Sequence, residues 1–594
     1  MTTFMLACVV GTAAVAVIAD AEPNPPVWPD SVRVFSPTDT DIQAAVNAAY
    51  AANGGHVPPN HGQFSSKRFA FLFRPGTYTA DVPVGFYTTI HGLGASPDDV
   101  VFAGEKGVYA EEGNYNATGG ALCNFWRGAE NFRSSATFKW VTGTGMLWAV
   151  SQAAPLRRLH VDETLVLYEY ERPYQAAGYA SGGFLADAIL EKGYTAGSQQ
   201  QWFSRNVDIK GGSAAPTLAI WNSVYVGCTG AVPPAHCGNA NESRSTVVVT
   251  STPEIAEKPF ITVAAAGGKG FSLIVPAMRT DASGPSFQTE QASTDPTIDF
   301  SNVYVARASV DTAASINAKL AAAHIQAVVI TPGIYKLSEP LKLVADGTVL
   351  LGLGLATLVP TGSFAAVEVS AAKSRVAGLL LQAGSGGGAS PGTLLYIAPA
   401  GTGTIVQDVF ARVGGPDTVP VSASVMMQVD ADGVIGDDMW LWRADHTVGG
   451  EVYHADNPVH HGLVVNGDDV TMYGLAVEHT LNDLVVWNGE RGRTYFYQSE
   501  LPYDVTQAQF GDPGYAGYRV ADGVTQHAGY GIGVYHFFRD YAITVPTGIV
   551  APSTATFVSP VVVYLNGLGK VNHVLNDKGE PTGNGTAGHQ AYVC

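Results

Sequence analysis

The chain has 594 residues, 46% of them hydrophobic and only 14% charged, with a net charge of −19 from 32 basic and 51 acidic side chains. That balance supplies a large core and excludes a disordered polymer. An acidic chain repels phosphate backbones, so no nucleic-acid partner is expected, and a neutral or cationic ligand fits better.

The N-terminus reads as a secretory signal over residues 1–21. Phe4 to Ile18 is a nearly unbroken apolar run, followed by Ala19-Asp20-Ala21, a cleavage pattern. Some 15 apolar residues is short for a membrane span. A secreted, extracellular protein without a membrane partner after cleavage is expected. Outside the signal stand Cys123, Cys228, Cys237 and Cys594. Cys228 and Cys237, flanking a Pro-Pro loop, are the expected disulfide. Sequons at Asn116, Asn241 and Asn584 suit a glycoprotein.

An order of elements then occurs twice. Asp41–Ala49 predicts a short amphipathic helix, Phe69–Tyr78 a strand ending in P-G-x-Y, and Tyr87–Ser96 a strand carrying G-L-G. Ser315–Ala323, Ala327–Tyr335 and Val349–Leu358 repeat the series. Pro75 matches Pro332 and Gly92 matches Gly352, an offset of about 260 residues. Between these points short runs rich in Val, Ile, Leu, Phe and Tyr alternate with Gly, Asn and Asp. Such units predict an all-β chain of parallel β-helix type, each half capped by its leading helix. The expected division is a first domain over 30–275, a polar linker over 276–302, and a second domain over 303–594. The tail from Asn576 is expected to be loose.

The chemistry-bearing residues concentrate between Trp440 and Tyr503. Glu478 and Glu500 each end a strand and lie 22 residues apart, about one coil. Equivalent positions on adjacent coils set the two carboxyls side by side, which raises the pKa of one and suits it as a general acid. Alternation turns Trp440 and Trp442 to one side, as a sugar-stacking platform or as core. Trp487, Asp445, His446, His479 and Tyr503 complete the substrate-binding candidates. The run Gln199-Gln200-Gln201 is unusual for a strand region, because inward amides need partners. Asp437-Asp438 and Asp468-Asp469 read as turn residues rather than a cation site. No metal or cofactor is expected.

Ser181–Asp187 (S-G-G-F-L-A-D) and Ser198–Asn206 (S-Q-Q-Q-W-F-S-R-N), followed in order by W-L-W-R-A-D-H, H-G-L-V-V, A-V-E-H and Q-S-E-L-P-Y, resemble glycoside hydrolase family 55. The resemblance implies two tandem right-handed β-helices joined as a clamp, and an exo-acting, inverting β-1,3-glucanase. It implies Glu500 as general acid, Glu478 as a supporting acid, and Gln200 or Gln201 holding the water through an amide–hydroxyl relay. The relay hydroxyl falls at Ser223 or Thr229, in a stretch that departs from the family pattern. Those glutamines must then lie across a cleft from Glu500. The expected partner is a β-glucan, and a monomer is expected. Two other classes stay open: a polysaccharide lyase on the same fold, disfavoured by the scarcity of basic residues, and a non-catalytic carbohydrate-binding wall protein or adhesin.

Overall fold

The computed structural model describes residues 21–54, 62–111, 120–170, 178–211, 218–239, 243–263, 270–289, 294–384, 392–586 and 588–594. The expected signal and the sequons at Asn116 and Asn241 lie outside them, apart from residue 21; Asn584 is exposed. Among the described residues no helix is long and apolar enough to cross a membrane.

Strands dominate, and they stack. From Val32–Phe35 to Ser245–Val249, strands of the first half join in chain order into a twelve-stranded sheet. From Val303–Ala306 onward the chain alternates between a thirteen-stranded and a ten-stranded sheet. Ile405–Val413, for example, pairs in parallel with Ile435–Arg443, while the intervening Ala423–Val429 belongs to the other sheet. A chain that visits two sheets in turn, pairing in parallel until the antiparallel strands at its C-terminal end, is a coiling β-helix.

The P-G-x-Y repeat now has a physical meaning. The Tyr78 hydroxyl donates to the carbonyls of Phe35 and Arg74, and the Tyr335 hydroxyl to those of Ala306 and Thr331. Each tyrosine ties the end of the first strand of its half to the end of the second. Gly352 of the G-L-G motif passes so close to its neighbour that an added Cβ would lie 2.4 Å from the Gly378 carbonyl. The helices form at Ile42–Asn53 and Ala313–Leu320. The second packs on Leu341–Leu343, the first strand of the ten-stranded sheet, and so covers an open edge.

The two halves lie against each other. Val349–Pro360 is buried at every position, because one side faces its own core and the other faces the first half. Mixed apolar clusters join Phe184 and Phe203 to Tyr473 and Phe496, and Phe125 and Trp126 to Trp440 and Trp442. Between them runs a buried ionic seam. Arg157 reaches Asp408 (2.6 Å) and Asp437 (2.7 Å), Arg205 reaches Asp437 (2.9 Å), and Lys258 bridges Glu130 (2.7 Å) and Asp408 (3.0 Å). Asp437 is therefore not a turn residue; its carboxylate is held by two arginines from the other half.

Residues 276–302, expected as a polar linker, carry strands: Arg279–Ala282 pairs with Thr252–Ile255 and Thr297–Asp299 with Phe271–Ile274. Two further expectations are corrected. The tail is not loose: Gln590–Tyr592 pairs with Val561–Tyr564. The disulfide joins Cys237 to Cys594, not to Cys228. Cys228 instead points its thiol at the Ser204 carbonyl (3.4 Å), packed against the first core, while Cys237 lies past the loop where the tail arrives.

Candidate active site

Consecutive strands of the thirteen-stranded sheet set out the site. In register, Arg412 lies beside Trp442, Trp442 beside Glu478, Glu478 beside Glu500, and Glu500 beside Tyr535. Neighbouring strands are about 4.8 Å apart, so the two glutamates stand side by side on adjacent coils. A second column two residues earlier holds Phe410, Trp440, Ala476 and Gln498. Both columns turn to the face that meets the first half.

Glu478 is 4% exposed, and both of its oxygens are engaged. Trp440 Nε1 donates to Oε2 (2.9 Å) and Gln152 Nε2 donates to Oε1 (2.7 Å). Gln152 comes from the first half, and its amide nitrogen also donates to Ser181 Oγ (3.0 Å). Ser151 Oγ accepts from the Ser181 N–H (2.9 Å) and donates to the Ala121 carbonyl (2.9 Å), which fixes the two loops against each other. Gln152, Ser181, Trp440 and Gln498 border a cavity of about 20 Å³, room for about one water.

Glu500 is half-buried and turned outward from the same ladder. The Tyr503 hydroxyl donates to its Oε2. The Tyr503 ring is pinned edge-on by His479 (4.4 Å) and Phe537 (5.2 Å). His479 also donates its backbone N–H to the Glu500 carbonyl (2.8 Å). Burial pushes the Glu500 carboxyl up to about 7, against the pull of the Tyr503 hydrogen bond. Burial, then the charge of Glu500, pushes Glu478 well above the carboxylate range, against the Trp440 N–H. Two such carboxyls do not both ionise near neutrality, and the pair keeps a proton.

Asp445 and His446 form a half-buried pair, Oδ1 to Nδ1 at 2.9 Å, and Gln63 of the first half reaches His446 Nε2 at 2.5 Å. Burial would raise the Asp445 carboxyl, but His446 outweighs it and holds it well below its usual range. Arg443 anchors the surrounding loops, with two hydrogen bonds to Asp504 (2.9 and 2.8 Å) and two to the Asp456 carbonyl (3.0 and 2.6 Å).

Several expected roles move. Trp440 and Trp442 do share a side, with rings 5.3 Å apart, but they are 3% and 2% exposed and wedged against Trp126. They are packing between the halves, and Trp440 positions Glu478. Trp487 is fully buried in the core of the second half against His527 (4.9 Å); the apolar strand Val485–Trp487 of the ten-stranded sheet carries it there, whereas the acids lie on the thirteen-stranded one. His479 is buried and held neutral, its pKa lowered by burial to about 4. Gln199 donates to the Val150 and Leu167 carbonyls and accepts from Gly182 N–H, and Gln201 donates to the Ser181 carbonyl. Gln200 is buried beside them. Gln199 and Gln201 brace the loop under Ser181, and the glutamine that crosses to the acids is Gln152. Ser223 accepts from the Ala219 N–H and Thr229 donates to Asp208, so the hydroxyl beside the crossing amide is Ser181. The signal for Gln152 lay in W-A-V-S-Q-A-A-P, where Ser151-Gln152 interrupts an apolar run.

The LAM55 pectate lyase-like domain family matches residues 303–500, the span that carries both acids. An exo-beta-1,3-glucanase of Streptomyces sp. (strain SirexAA-E / ActE) is 38% identical over 577 residues, covering 94% of this chain and 87% of that protein. The chain belongs to glycoside hydrolase family 55. The structure of sacteLam55A from Streptomyces sp. SirexAA-E superimposes with a TM-score of 0.84 at 34% identity, over 97% of this chain and 99% of that one. A variant of the same enzyme in complex with glucose gives 0.82 over the same shares. As a family 55 glycoside hydrolase, this chain pairs its acid-bearing strands with a second β-stack that supplies Gln152.

Proposed function

We propose that the protein is a secreted hydrolase of β-1,3-glucan that acts from the chain end with inversion. Glu500 protonates the glycosidic oxygen. Its half-buried position and a pKa near 7 let it hold a proton at neutrality and give it up to a leaving group. Water attacks the opposite face of the sugar, held by Gln152 and Ser181, and gives up its proton through the Ser181 hydroxyl to solvent. Glu500 loses one proton to the leaving oxygen and takes one back from solvent, which resets the site.

The contact from Gln152 to Glu478 carries this reading. Glutamates on adjacent strands are too close to flank a sugar and a water directly, since inversion needs roughly 6.5–9.5 Å. The amide bridge instead fixes Gln152 and Ser181 across the interface, where they hold the water. A retaining mechanism would need Glu478 to reach the anomeric carbon, and its oxygens are committed to Trp440 and Gln152 in a 4% exposed pocket. The test is nuclear magnetic resonance of the first sugar released from laminari-oligosaccharides. The α-anomer supports inversion, the β-anomer sinks it, and an unsaturated product would mean a lyase.

A further inference from the structure

The antiparallel pair Lys139–Trp140 and Gly143–Leu147 lies in a four-stranded sheet separate from the acid-bearing one. Rings gather on it. Phe138 and Trp140 are 4.4 Å apart, and Tyr109 is 5.5 Å from Trp140. The Lys106 ammonium stands 4.9 Å from the centroid of each of the three. Trp140 Nε1 donates to the Gly145 carbonyl (2.9 Å), so the indole is fixed. Tyr109 backs Trp140, and the half-buried Phe138 and Trp140, with Lys106, line a cavity of about 230 Å³. It dwarfs the 20 Å³ cavity beside Gln152 and shares no residue with it. Glu111, Glu169, Lys139 and Tyr170 complete its rim.

The chemistry of this pocket selects a neutral ligand. In a chain of net charge −19, two lysines here face two glutamates, so no charge is favoured. Fixed aromatic faces suit the apolar C–H face of a pyranose, and the carboxylates and ammonium groups suit its hydroxyl rim. We propose that the Phe138–Trp140 pocket is a second glucan-binding site, which holds the polymer outside the cavity beside Gln152. An enzyme that works at a chain end gains from such a second attachment, because it keeps the next end at high effective concentration. This proposal rests on the glucan reading above.

Trp140→Ala and, as an independent probe, Tyr170→Ala are compared with the parent on polymeric laminarin and on laminaritriose. The expected result is a KM for polymer raised by roughly three- to tenfold, with kcat and the trisaccharide kinetics unchanged. Unchanged polymer KM in both variants overturns the proposal, as does an equal loss on both substrates. Failure of the parent to cleave laminaritriose would count against the glucan reading alone. Binding of Glu500→Gln protein to insoluble β-1,3-glucan, with and without Trp140→Ala, reads the pocket without turnover. Weaker binding with Trp140→Ala supports the site, and equal binding rejects it.

Discussion

Gln152 Nε2 lies 2.7 Å from Glu478 Oε1, although 326 positions separate the two residues in the chain. The bond crosses the interface between the halves, so the geometry of the acids depends on how the two β-stacks are docked.

Gln152→Ala should therefore lower kcat by about 10²-fold with little change in KM, the scale of a positioned proton-transfer group. Glu500→Gln should cost at least as much, about 10³-fold or more. Steady-state kinetics on laminari-oligosaccharides checks both. Normal kcat in Gln152→Ala would remove the bridge from the mechanism.

The pH profile follows from Glu500. The acid must be protonated, so kcat/KM should fall as pH rises through about 7. The Tyr503 hydroxyl favours the ionised carboxylate and lowers that pKa. Tyr503→Phe should move the basic limb to higher pH, because the proton is then held more tightly. A limb that stays in place, or moves down, contradicts this account of the acid.

The ionic seam predicts a stability effect. Asp437→Ala strands Arg157 and Arg205 without their shared carboxylate, which should destabilise the fold by about 3–5 kcal/mol. Replacement of a buried charge cluster by apolar groups would cost less. Glu257, which pairs with Arg205 at 2.7 Å, adds a pH term. Burial would raise its carboxyl, but the arginines outweigh this and bring it down to about 2 from 4.5. Its contribution is present above about 4.5 and is lost as pH falls toward 2. Denaturant unfolding at neutral and acid pH measures both effects.

Cys594→Ser should lower stability by about 2–5 kcal/mol, since the bond closes a very long loop. Activity of the folded protein should persist, because β-pairing of Gln590–Tyr592 also holds the tail. Thermal unfolding with and without a reductant should give the same loss in the parent as the substitution does.

The β-helix was legible because its coils repeat a local pattern: brief strands, turn residues, and the duplicated P-G-x-Y. The side-by-side placement of Glu478 and Glu500 was legible for the same reason, since 22 residues make one coil. What crossed between the halves was not. Periodicity within a strand says which side Trp440 and Trp442 take, but not that Trp126 will cover them. Gln152 sits in a short polar break whose partner is set by docking. Of the three consecutive glutamines, Gln199 and Gln201 spend their amides on the local loop. Cys228 and Cys237 looked paired because they are near in sequence, whereas disulfides follow nearness in space.

The bond from Cys237 to Cys594 also has a temporal side. Synthesis runs at about 5–20 residues per second, so Cys237 waits on the order of tens of seconds before its partner exists. Throughout that wait the nearest thiol is Cys228, nine positions away. Burial pushes the Cys228 thiol up to about 12, which leaves almost no thiolate to attack. Once the first stack packs against Cys228, that thiol competes weakly, and Cys237 remains for Cys594.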